Sequence, residues 1–262
     1  MNKYIVGLVF VVVFGITNAL SSTSTIFEDH KLQTYSPIVA GAKDILFEIR
    51  VDGLIDNIKR TTAISNIEDL YFRFYWVYPG EYRIEVEGLP KGFAVLKSNL
   101  KNQVKPYVDM IFSEDFIRQF ERTPFVQDPK EKNSFIKKEE SASSVSKVRV
   151  KLNEKNLLSE IYSKSPYSTV LSKFEYKLRS WSNGKNVLTK ITVEEKGSGI
   201  VNLKTIDVER EVFSGIGLPS EINVEEEVSR DGKSIAKTNL KLKFSNYNIN
   251  TGKADRFIRD SK

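Results

Sequence analysis

Cysteine is absent from the 262 residues. That removes disulfides, zinc–thiolate centres, thiol nucleophiles and N-terminal lipidation on a bacterial-type cysteine. Histidine occurs once, as His30, so a His-centred triad has no convincing base and no multi-histidine metal site exists. His30 lies in a polar stretch beside Lys31, and that setting predicts a surface position. Blocks of charge of one sign are missing too. The net charge is +6, but Lys and Glu alternate along most of the chain, which describes a solvated surface and argues against nucleic acid as a partner. The acidic runs Glu194-Glu195 and Glu225-Glu226-Glu227 form no carboxylate pair, because adjacent strand residues point to opposite faces. Gly197-Ser198-Gly199 is too short to cradle a phosphate and reads as a hairpin turn. No cofactor is implied, and the inventory points to a binding protein rather than an enzyme.

One apolar run stands out, at the N-terminus. Lys3 supplies a charged start, Tyr4 to Ile16 a short apolar core, and Thr17-Asn18-Ala19 a small-residue cleavage site, so residues 1–19 read as a signal peptide and the protein as exported. The run is shorter than the roughly 20 apolar residues of a spanning helix. The alternative is a membrane anchor formed by residues 4–20.

What organises the rest is Asp69 to Gly92, DLYFRFYWVYPGEYRIEVEGLPKG. It reads as two antiparallel strands joined at Pro79-Gly80. On the second strand Tyr82, Ile84 and Val86 alternate with Arg83, Glu85 and Glu87, one buried face and one wet face. The first strand carries Leu70, Phe72, Phe74, Trp76 and Tyr78 on one face, yet Tyr71, Tyr75 and Val77 on the other. A strand apolar on both faces needs cover on both. Two readings fit: a central strand packed under a helix, or a sheet whose concave face lines a cavity for an apolar ligand.

Upstream, Ile26 to Ala42 fits one or two short helices interrupted by Pro37, within an N-terminal segment of residues 20–43. Asp44 to Val51 alternates as a strand, Asp52-Gly53 turns the chain, and Leu54 to Ile64 reads as a strand running back. Downstream, Phe93 to Leu96 reads as a short strand. Residues 100–120 form the strongest helical pattern, with Leu100, Val104, Val108, Ile111, Phe112, Phe116 and Phe120 at helical spacing and Pro106 kinking or restarting it. Residues 127–144 read as an inserted polar loop. Leu157 to Tyr162 reads as a helical turn. The second half is otherwise strands and hairpins: Val170 to Ser182, a turn at Asn183-Gly184, Val187 to Val193, Ile200 to Phe213, a break at Gly215 to Pro219, then Ile222 to Val228, a turn at Asp231-Gly232, and Ile235 to Phe244. Residues 251–262 read as a C-terminal tail. Consecutive hairpins of long strands form an up-and-down antiparallel sheet that curls.

Pro79, Gly80, Tyr82 and Arg83 make a strand, a P-G-x-(F/Y)-R turn and a second strand. Gly217-Leu218-Pro219-Ser220-Glu221-Ile222 precedes a hairpin and a final strand ending FSNYNIN. With the leader and the short N-terminal helix, these resemble the periplasmic outer-membrane lipoprotein carrier (LolA-like) family over most of residues 26–250. The resemblance implies an α+β domain over residues 44–250, a curved antiparallel sheet forming an incomplete, unclosed β-barrel with helices packed in its concave face. It also implies an apolar cavity for acyl chains, residence in the periplasm of a Gram-negative-type bacterium, and lipid or an acylated lipoprotein as partner. On that reading the cavity wall is Phe72, Phe74, Trp76, Tyr82, Ile84 and Val86, and the lid carries Ile111, Phe112 and Phe116. The second hypothesis is a non-catalytic envelope structural or interaction protein, its cavity filled by its own side chains and its loop 127–144 meeting an envelope protein.

Overall fold

Twelve antiparallel strands make one sheet. The computed structural model of the chain describes residues 23–62, 64, 66–110, 123–137 and 147–260, so the leader region, 1–19 or 4–20, lies outside the described residues. In chain order the elements are α1 (Thr23–Gln33), β1 (Asp44–Val51), α2 (Leu54–Thr61), β2 (Tyr71–Val77), β3 (Glu81–Glu87), α3 (Ala94–Asp109), β4 (Phe125–Gln127), β5 (Ser134–Lys137), β6 (Lys147–Leu152), β7 (Leu158–Lys164), β8 (Thr169–Leu178), β9 (Asn186–Gly197), β10 (Ile200–Phe213), β11 (Ile216–Arg230), β12 (Lys233–Ile249) and α4 (Lys253–Asp260). The strand order is β3-β2-β1-β12-β11-β10-β9-β8-β7-β6-β5-β4. With β3 and β4 as its edges the sheet is open, as an α+β protein built on a curved antiparallel sheet requires.

The topology follows from hairpins and one long-range closure. From β4 to β12 each strand pairs with the next, as the up-and-down pattern predicts, while β12 returns to lie beside β1, with Ile45 opposite Ile249 and Ile49 opposite Phe244. β3 and β4 are consecutive in sequence yet sit at opposite edges. α3 lies in the connection between them.

The alternating stretches become strands at their predicted places. Ile45, Phe47 and Ile49 of β1 are fully buried. The turn at Asp231-Gly232 uses two left-handed residues, φ 50° and 76°, the geometry that matches hairpin twist. Other expectations are corrected. Leu54 to Thr61 is helix α2 rather than a returning strand, because β1 already has β2 on one edge and β12 on the other, and Leu54 and Ile58, one helical turn apart, are both buried. Phe93 to Leu96 is not a strand. Phe93 is the N-cap of α3, and Leu96, Leu100, Val104 and Val108 form a stripe at i, i+4, i+8 and i+12 along it. That helix starts earlier than the pattern predicts and continues through Pro106, which lies on the exposed side, where water solvates the carbonyl freed by the missing N–H.

Leu157 to Tyr162 is not a helical turn, because Leu158 begins strand β7. A tight turn at Asn153–Asn156, with Asn156 at φ 55°, hands the chain directly back beside β6. Within the polar segment 127–144, Ser134–Lys137 is strand β5, pairing Phe135 with Val150. The break at Gly215 to Pro219 shrinks to Ser214-Gly215. Pro219 lies inside β11 opposite Arg210, where the register shifts, a position that tolerates a strand proline. Residues read as a tail carry helix α4, whose Ala254 and Ile258 are buried.

At β1 and β2 the sheet is covered on both faces. On the inner face, α2 and α3 share one core with β1–β3 and β9–β12. α1 adds Ile26 and Phe27 against Phe125, Val150, Leu152 and Leu158, and Phe174 joins the two clusters. On the outer face, Tyr75 of β2 packs under Ala254 and Ile258 of α4, its ring stacked 3.8 Å from that of Phe257. α4 is thus the second cover that the doubly apolar β2 demands.

Candidate functional site

The predicted wall residues do come together. Register places Phe72 opposite Val86, Phe74 opposite Ile84 and Trp76 opposite Tyr82. Phe72, Phe74, Trp76, Ile84 and Val86 are buried in the inner core, and Tyr82 is half-buried at its margin. The predicted lid residues Ile111, Phe112 and Phe116 lie outside the described residues. The neighbouring α3 is tied to the wall by polar contacts at its C-terminal end: the Tyr82 hydroxyl donates to Asp109 at 2.7 Å, Lys105 pairs with the same carboxylate at 2.8 Å, and Lys101 reaches Glu85 at 2.8 Å. The Asp109 carboxylate and the Tyr82 hydroxyl hold the Lys105 ammonium above its ordinary range.

From Tyr82 the aromatic surface continues across the sheet. Ring centroids step from Tyr82 to Phe74 at 5.3 Å, to Phe47 at 4.7 Å, to Tyr247 at 5.1 Å and to Phe213 at 4.4 Å. Such tilted pairs each add about 0.5–1.5 kcal/mol beyond area burial. The rail crosses β3, β2, β1 and β12 to reach β10; alternation supplies Tyr82, Phe74 and Phe47, while a register shift in β12, with Asn246 at φ 56°, brings Tyr247 to the same side as Phe244.

At the far end of the rail sits a charge. Arg210 follows Ile206 and Val208 on the inward side of β10. Its side chain is half-buried by area, yet Nε and Nη1 are sealed from solvent and donate to nothing. Burial lowers the guanidinium to about 10, so it is still a cation at neutral pH. Tyr35 and Tyr247 are the groups coupled to it electrostatically, and burial raises both phenols. The Tyr247 hydroxyl donates to the Pro219 carbonyl at 2.6 Å, whereas the Tyr35 oxygen accepts from the Gly217 N–H at 2.7 Å. Tyr35 also meets Trp181 edge to face at 5.0 Å. Gly217 makes room for that indole, because a Cβ there would lie 2.1 Å from Trp181 Cζ3. No reading of the sequence singles out this cluster. Its one signal is an arginine at the inward parity of the I-D-V-E-R stretch, 206–210.

Hollows also lie elsewhere among the described residues. One, of about 490 Å³, opens beside Ile38, Ala42, Val77, Tyr78, Lys43 and Arg259 of α4. The Asp44 carboxylate in it is already engaged, accepting from the N–H groups of Gly252 at 3.0 Å and Asp255 at 2.7 Å. Another, of about 520 Å³, lies over Leu157, Phe174 and Tyr176. Near it the expectation for His30 is corrected. His30 is 2% exposed under α1, accepts from the Leu158 N–H at 3.1 Å, and meets Tyr176 edge to face at 5.8 Å. Helical spacing turns it inward with Ile26 and Phe27, and burial lowers its imidazole to about 4. Among the described residues no group of His, Asp and Glu could hold a metal ion.

Comparison of the chain with family models, with curated proteins and with solved structures finds no match. The site therefore stands on its own chemistry.

Proposed function

We propose that the protein is an exported, non-catalytic carrier that holds acyl chains against the aromatic inner face of an incomplete barrel, with helices in its concave side, in the manner of the LolA-like carriers it resembles. The observation that carries this reading is the aromatic rail from Tyr82 to Phe213 on the inner face of a sheet that does not close. An open sheet with β3 and β4 at separate edges can admit a ligand by displacing a helix, whereas a closed barrel admits one only through its mouth. α3 is the element to displace. Its buried Leu100, Val104 and Val108 contribute together about 4–9 kcal/mol, and an acyl chain burying roughly six to eleven methylenes at about 0.8 kcal/mol each offsets that loss. Lipid or an acylated lipoprotein is the partner, and the periplasm the compartment that the leader sequence suits.

A specific observation favours a second reading. Phe72, Phe74 and Trp76 are each at most 1% exposed and already in a packed core, as in an envelope structural or interaction protein whose inner face is filled by itself, with residues 127–144 meeting an envelope partner. Mass spectrometry of the native purified protein for co-purified lipid, beside titration with a fluorescent fatty-acyl probe, separates the two. The carrier reading expects saturable binding that tightens in Val104→Ala, which loosens the helix that the acyl chain displaces. Absence of bound lipid and of saturable binding in a folded chain selects the self-filled protein.

A further inference from the structure

Among the described residues, Arg210 is the inward-facing cation whose chemistry the packing leaves unanswered. Arginine is rarely buried without a counter-charge, because the desolvation of an ion is offset only by an opposite charge or a full set of acceptors. Here Nε and Nη1 are sealed and unpaired, and the polar groups beside the guanidinium are two phenols rather than carboxylates. One phenol is committed, since Tyr247 donates its proton to Pro219. The other is not. The Tyr35 oxygen accepts from Gly217, which leaves its own proton available as a donor. Two guanidinium nitrogens and one phenol O–H, coupled electrostatically, thus lie in one region without an acceptor, at the end of a run of aromatic rings on an open sheet. A fork of planar N–H donors matches a carboxylate or phosphate.

We infer that Arg210, assisted by the Tyr35 hydroxyl, binds the oxyanion head of an acyl ligand, a carboxylate or phosphate, whose chain lies along the rail towards Tyr82. This rests on the carrier reading and deepens it. The site selects anionic amphiphiles over neutral ones, because an uncharged head leaves the guanidinium as unpaired as it is in the empty protein. Tyr35 is a positioning residue as much as a ligand: its contacts with Gly217 and Trp181 hold the hydroxyl in place. The bulge at Pro219 turns β11 locally and directs its carbonyl to Tyr247.

The experiment titrates the delipidated full-length mature chain with a fluorescent polyene fatty acid, with its methyl ester, and with a lysophospholipid bearing a phosphate monoester. Acetate and inorganic phosphate serve as free-anion competitors. The wild-type protein is expected to bind the acid or the phosphate monoester at least tenfold more tightly than the ester. The ratio is expected to fall close to one in Arg210→Met, to survive in part in Arg210→Lys, and to drop several-fold in Tyr35→Phe. Which of the two heads binds more tightly distinguishes fatty acid from phospholipid as the source. Acid and ester binding equally to the wild type, or a ratio unchanged in Arg210→Met, overturns the head-group assignment while leaving the carrier reading intact. Competition by millimolar inorganic phosphate as effective as that by the acyl probes replaces the lipid head with a free anion and also overturns it. No saturable binding by any probe to a chain with native circular dichroism removes the carrier reading itself. The thermal midpoint gives a readout independent of any probe: the ligand-free Arg210→Met protein is expected to melt no lower than wild type, because it loses an unpaired buried charge. A large drop makes Arg210 a structural residue and overturns the proposal.

Discussion

The hairpin β2–β3 and the distal end of the hairpin β11–β12 are built from the same ladder, and they differ in what covers them. In β2, Phe72, Phe74 and Trp76 are buried on the inner face and Tyr75 on the outer. In β12, all seven residues from Lys233 to Asn239 are exposed, Ile235 among them, although each side of the turn is paired in register with β11. Backbone pairing and turn chemistry therefore do not decide burial. What decides it is whether a further element arrives: α3 and α4 at β2, and none among the described residues at the tip of β12. Cross-strand pairs such as Lys241–Glu221 at 2.8 Å and Lys204–Glu226 at 3.4 Å serve the exposed ladders; each contributes little, as solvent-exposed ion pairs do.

The largest expected effect tests that contrast directly. Trp76→Ala should destabilise the fold by about 3–5 kcal/mol, the cost of a large void in a packed core, whereas Ile235→Ala should stay within about 0.5 kcal/mol. Urea midpoints of the two variants measure it, and comparable shifts would show that cover is not what separates the two hairpins.

A smaller effect probes the cover that α1 lays over β7 and β8. The His30 imidazole titrates at about 4 in the fold against about 6.5 in an unfolded chain. A lowered value means that the unfolded state binds the proton first, so the stability is fully present above pH 6.5 and is lost as the pH falls towards 4. Between pH 7 and pH 5 this amounts to a loss of about 2 kcal/mol. Denaturation at the two pH values should show it, and His30→Gln should flatten that interval. An unchanged slope in the variant would place the imidazole in water and open the cover.

The smallest concerns the outer cover of β2. The Asp44 carboxylate accepts from Gly252 and Asp255 at the start of α4, so Asp44→Ala should cost about 1–2 kcal/mol, the range for a lost helix cap. Hydrogen exchange should rise first at those two amides. Uniform exchange across the sheet instead would mean that α4 is not a separately anchored cover.

Much of the molecule is legible in the sequence. The aromatic hairpin, β1, the turns at Asn183-Gly184 and Asp231-Gly232, and the inward facing of Phe72, Phe74, Trp76, Ile84 and Val86 all follow from period-two alternation and turn chemistry, which are local. The misread segments share a cause. α2 is a short run whose identity depends on both edges of β1 being occupied by β2 and by β12, nearly two hundred residues downstream. The Leu158 strand depends on β6 and β8 offering it two free edges. α4 looked like a tail because eight residues with two buried side chains carry little periodic signal.

His30 and Arg210 mark the same boundary from the side of function. Composition, alternation and turns dictate an antiparallel β-protein with no thiol, no histidine cluster and one strand apolar on both faces, since each of these depends only on near neighbours in the chain. Which side of α1 meets the sheet, and that an arginine at an inward position finds two phenols and no carboxylate, follow from contacts between residues as far apart as Tyr35, Arg210 and Tyr247. Burial and charge pairing are properties of the assembled core, and only the packing of the whole chain assigns them.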